Sequence, residues 1–94
     1  MIIGVCRLDL RLPENGSLKG KRQVLQSIIA RIRKDFNVAV AEVDYQDSWQ
    51  RATLGIVTVS TASDYAHGLL TSVVQMVERG HWDIEVLDFE IETL

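Results

Sequence analysis

The chain has 94 residues, a formal net charge of −3 and one cysteine. That leaves room for a single hydrophobic core, argues against indiscriminate coating of nucleic acid, and gives the thiol no internal disulfide partner. Apolar residues make up 47% and charged residues 24% of the chain, a globular composition with no apolar run long enough to cross a bilayer.

The first segment, Ile2–Leu12, alternates. Ile2, Gly4, Cys6, Leu8, Leu10 and Leu12 share one parity; Ile3, Val5, Arg7, Asp9 and Arg11 share the other. This is the period of a strand with one buried and one mixed face, not the basic start and apolar block of a signal peptide, so a reducing cytoplasm is expected. Pro13–Gly16 supplies turn chemistry.

Ser17–Asn37 then carries Val24, Leu25, Ile28, Ile29, Ile32 and Phe36 at helical spacing. Ser17 is placed to cap its start and Asn37 to stop it in a left-handed conformation. The side away from the apolar stripe carries Lys19, Lys21, Arg22, Arg31, Arg33 and Lys34, six of the ten basic residues. Val38–Val43 reads as a second strand and Asp44–Gln50 as a polar loop. Arg51–Thr61 is a third strand, where Gly55 marks a bulge or a close approach. A second helix begins among cap candidates in Ser60–Asp64. It buries Ala66, Leu69, Leu70, Val73, Val74 and Val77, and ends at Gly80. In the last strand, Trp82–Leu94, Leu87, Phe89 and Ile91 are expected inside.

The order β-α-β-β-α-β predicts one ferredoxin-like α+β domain over 1–94: a four-stranded antiparallel sheet, order 4-1-3-2, with two helices on one face. One core should gather Leu8, Leu10, Val24, Leu25, Ile28, Ile32, Leu54, Leu69, Val73, Leu87 and Phe89. Residues 17–34 hold six bases and no acid, and residues 83–92 hold five acids and no base. Strands one and four being neighbours, Arg7 and Arg11 are expected near Asp88 or Glu90.

Two places are candidates for binding. At the first helix start, three bases (Lys19, Lys21, Arg22) oppose the helix dipole, which a bound phosphate would relieve; a solvated face explains them equally simply. The loop Asp44, Tyr45, Gln46, Asp47, Ser48, Trp49, Gln50, Arg51 collects carboxylates, amides, aromatics and an arginine. Trp49 could stack on a base and Gln50 complete that surface. Alternatively the loop folds on itself, Trp49 covering the core edge and Arg51 pairing with Asp44 or Asp47.

Catalysis, metal and cofactors find no support. His67 and His81 stand apart, Cys6 lies on the core parity, and Asp44 with Asp47 is a commonplace pair. The open sheet face lacks the aromatics of an RNA-stacking platform. Its aliphatic residues, Ile3, Val5, Ile84 and Val86, suit a protein partner or a second subunit instead.

The runs SLKGKRQVL, RIRKDFNVAVAEVD, QDSWQRATLG and EVLDFEIE resemble the YlxP-like family of small bacterial proteins across nearly the whole chain. The resemblance implies a ferredoxin-like fold and, by gene neighbourhood alone, a task linked to RNA or the ribosome. Two residues depart from the family pattern: Gly20 stands where a capping-box glutamate is expected, and Tyr45 where histidine is common.

The leading expectation is a non-enzymatic protein that contacts rRNA or a ribosomal particle through Lys19, Lys21, Arg22, Arg31, Arg33 and Lys34, with Trp49 and Gln50. No DNA specificity and no membrane contact are expected. A homodimer or hetero-oligomeric interaction module is the alternative, and an enzyme using Asp44, Asp47 and Arg51 ranks last.

Overall fold

A computed structural model describes residues 1–94. The elements are β1 (Ile2–Arg11), α1 (Leu18–Asp35), β2 (Ala39–Asp44), β3 (Arg51–Ser60), α2 (Ser63–Arg79) and β4 (Glu85–Thr93). The strands form one antiparallel sheet in the order β2-β3-β1-β4, the expected ferredoxin-like arrangement. Both helices pack on one face because right-handed crossovers leave no other placement.

The even residues of β1 face the helices: Cys6, Leu8 and Leu10 are fully buried, as are Ala52, Leu54 and Ile56 of β3. Leu25, Ile28 and Ile32 of α1 and Leu70, Val73, Val74 and Val77 of α2 close the core over them. Burial pushes the Cys6 thiol up to about 11, so at neutral pH it is a small apolar side chain and not a nucleophile.

Ser17 caps α1 as expected, its Oγ accepting from Gly20 N at 3.0 Å. The stop differs. Phe36, in extended conformation, ends the helix, and Asn37 has no left-handed turn to make, since Tyr45 is the sole non-glycine at positive φ. Helix α2 starts at Ala62 without a side-chain cap bond. It does end at Gly80, but at φ −70, so conformational freedom is not why glycine stands there. The Trp82 ring lies against Gly80 where any Cβ would fall.

The last strand corrects two expectations. The β1–β4 register runs Asp9↔Asp88 and then Leu10↔Val86, leaving Leu87 as an extra residue in a bulge. A one-residue slip reverses the faces beyond it. Ile84 and Val86, expected outward, therefore pack against the core. Leu87 and Phe89, expected in the core, are each 44% exposed; Leu87 is the bulged residue, and Phe89 sits on an edge strand. Leu69 is only half-buried. A second bulge falls between Glu42 and Asp44 on β2. There Val43 Cγ1 lies 2.9 Å from where a Cβ on Gly55 would be, the close approach that Gly55 signalled.

Candidate functional site

The polar cluster at the first helix start is built inward, not outward. Lys21 lies on the same side of α1 as Leu25, Ile28 and Ile32, and its side chain is 1% exposed. The ammonium donates to the carbonyls of Tyr45 at 2.6 Å and Ser48 at 2.7 Å. Glu42 Oε2 stands 2.8 Å away as the counter-ion, off the direction of a hydrogen bond and with no other partner. Lys21 therefore cannot contact RNA phosphate, and that expectation is withdrawn: its charge is spent pinning the 44–51 loop to α1.

The turn before α1 reinforces the clamp. Asn15 Nδ2 donates to the carbonyls of Ser17 and Trp49, both at 2.6 Å, and Leu12 N donates to the carbonyl of Gln50 at 2.9 Å. The Asn15 amide oxygen occupies the space a side chain on Gly20 would need. A capping-box glutamate at that position would have to displace the Asn15 amide from its bonds to Ser17 and Trp49.

The loop folds on itself, with pairings other than those expected. Asp44 Oδ1 accepts from Tyr45 N at 2.8 Å and so holds Tyr45 at φ 62. Its Oδ2 reaches Arg7 at 3.3 Å, across side-chain-free Gly55. Arg51 pairs with neither Asp44 nor Asp47; its guanidinium lies 4.5 Å over the Tyr45 ring, a cation–π contact. Trp49 is 54% exposed and does not cover the core. Gln46 and Asp47 are exposed, and Gln50 makes long bonds of 3.4–3.5 Å to the carbonyls of Asn15 and Pro13.

The remaining bases are spread around and along the solvent side of α1. Arg31 Nε is bound to Asp35 at 2.7 Å and Arg33 to the Val40 carbonyl at 3.1 Å. Arg22 and Arg31 are nine residues apart and so project about 180° apart around the helix. Of the α1 bases, only Lys19, Arg22 and Lys34 are exposed without an ion-pair or hydrogen-bond partner. The basic face read from the sequence thus loses Lys21 to the interior, and Lys19, Arg22, Arg33 and Lys34 remain within about 120° of one another around α1, at its two ends. On the sheet, Arg11 faces Glu85 at 3.9 Å, and Arg7 takes Asp44 although Glu90 is its register neighbour.

Two features were not fully read in the sequence. The first is the share of β3 and Val43 in the open sheet face. Ile3 and Val5 on β1 stand beside Val59 and Val57 on β3, with Val43 next to them. Val43, Val57 and Val59 are exposed, Val59 by 64%. The odd parity of β3 could have revealed it. The second is a cleft of about 500 Å³ between the helices, lined by Arg31, Met76, Arg79, Gly80, His81 and Trp82. Its residues come from separate segments and leave no local signal.

A family model described as "Protein of unknown function (DUF503)" matches residues 3–91. The chain is 36% identical over 77 residues to "Uncharacterized protein YlxP" of Bacillus subtilis (strain 168), covering 82% of this chain and 84% of that one. Among solved structures it is similar to "De novo designed protein Foldit4", with a TM-score of 0.55 at 12% identity over 100% of this chain and 97% of that one. That last likeness concerns the fold alone.

Proposed function

The chain belongs to this family of unknown function, DUF503, and we propose that it is a non-catalytic interaction module that pairs with a second copy of itself through the open face of its sheet. The observation that carries this reading is the contiguous aliphatic group Ile3, Val5, Val43, Val57 and Val59 on a face no helix covers. Contiguous exposed apolar surface rimmed by charge marks an association site, where scattered single residues do not.

A second copy fits this surface. Ile3 pairs with Val59 and Val5 with Val57 on the two central strands. A two-fold axis along the strands, between β1 and β3, lays Ile3 and Val5 of one copy over Val59 and Val57 of the other. The interface is then isologous, with sheets stacked about 10 Å apart. The same operation sets Glu90 and Glu92 of β4 over Ala41 and Ala39 of β2, and Asp88 over Asp44, whose carboxylate Arg7 already engages. The non-catalytic part of the reading is supported by the loop, where Asp44 is committed to Arg7 and Arg51 to Tyr45.

Methyl resonances followed by nuclear magnetic resonance test the surface. On dilution, those of Ile3, Val5, Val57 and Val59 should shift together while those of the core stay fixed. Shifts confined to the helices, or none at all, would contradict the reading. Contact with RNA, the expectation the family resemblance implied, would fall on the opposite side of the molecule; Lys19, Arg22 and Lys34 are the unpartnered α1 bases left to support it.

A further inference from the structure

The cleft between the helices has the parts of a small anion site around an aromatic floor. Trp82 follows α2 and reaches across to α1, where its Nε1 donates to Ser27 Oγ at 2.9 Å. Its six-membered ring lies against Gly80, so the indole is held at both ends, by Gly80 and by Ser27. Met76 adds a polarisable side chain beside it. Arg31, Arg79 and His81 line the same space, and no acid does.

The donors are available. Asp35 engages only Nε of Arg31, leaving both terminal guanidinium nitrogens free, and Arg79 and His81 have no hydrogen-bond or ion-pair partner. A cation in the last turn of a helix answers the dipole, which accounts for Arg79. It does not account for an arginine of the other helix and a histidine meeting it over a held indole. The volume, about 500 Å³, falls in the range of small-molecule pockets.

From these residues we infer that the cleft binds a nucleotide, its base against Trp82 and its phosphate between Arg31, Arg79 and His81. The nucleotide is either free or one unit of a single-stranded RNA. Guanidinium groups recognise phosphate through paired donors, and an indole accepts any base by stacking. The site lies on the helix side of the sheet, so it is independent of the pairing surface and stands or falls separately.

Tryptophan fluorescence in a Trp49→Phe background isolates Trp82 as the reporter. Adenosine monophosphate and a single-stranded oligoadenylate should each quench it saturably, and inorganic phosphate should bind more weakly than either. An oligomer that binds no tighter than the mononucleotide points to a free nucleotide; a clearly tighter one points to an RNA strand. Arg79→Gln and Arg31→Gln should each weaken binding about tenfold with unchanged circular dichroism, as expected for loss of a charge-assisted contact. Absence of saturable quenching by both probes would overturn the inference. So would inorganic phosphate binding as tightly as the mononucleotide, or full retention of affinity in the Arg31→Gln/Arg79→Gln double variant.

Discussion

Lys21 shows how a charge can be structural. Its ammonium satisfies the carbonyls of Tyr45 and Ser48 and is itself closed to solvent, with the Glu42 carboxylate as its counter-ion. Replacing it by methionine preserves most of the volume but strands a largely buried carboxylate and two carbonyls. Removing one member of a buried pair costs about 3–5 kcal/mol. Urea denaturation of Lys21→Met should show a loss of that size, against nearly none for Lys19→Met on the exposed side. Equal, small losses would mean that the loop is not held through Lys21. Sequence gave little hint of this. A lysine beside Gly20 and Arg22 looks like part of a basic cluster, and only its helical phase, in line with Leu25, Ile28 and Ile32, places it inside. Its partners lie across a turn in another segment, where no spacing rule reaches.

The elements themselves were largely legible because each carries its own period. β1 alternates over ten residues, and both helices bury a stripe at helical spacing. What escaped was β4, where a single bulged residue, Leu87, reverses which side chains turn inward. The same chain would read correctly from either end and wrongly across the bulge. The helix ends were half legible. Ser17 caps by a local rule, whereas Gly80 is dictated by a ring two residues on, which no local rule contains. Gly80→Ala should therefore push the Trp82 indole off its seat and break its bond to Ser27. The expected result is a destabilisation of about 1–3 kcal/mol, as for other overpacked sites, with a red-shifted Trp82 emission in a Trp49→Phe background. An alanine variant with unchanged stability and emission would show that the ring moves aside freely.

At the scale of the whole molecule, a two-layer domain leaves one face of its sheet without a cover. In this chain that face is divided. One end is charged, with Arg7, Asp9, Arg11, Asp44 and Asp88, and the other is aliphatic on its central strands, with Ile3, Val5, Val57 and Val59 and with Glu92 of β4 beside Val5. The helix side carries the cleft and the dispersed bases, and none of its helices is long and apolar enough to cross a membrane. Pairing through the aliphatic end leaves that side free, which is why the two proposed surfaces can be tested separately. Sedimentation velocity of the wild type and of a Val57→Lys/Val59→Lys variant, each over a wide concentration series, tests the central claim most directly. The account predicts a wild type that moves toward twice the chain mass of 10.6 kDa as concentration rises, and a folded variant that stays monomeric throughout. A wild type that remains monomeric at high micromolar concentration, or a variant that associates as strongly as the wild type, would contradict it.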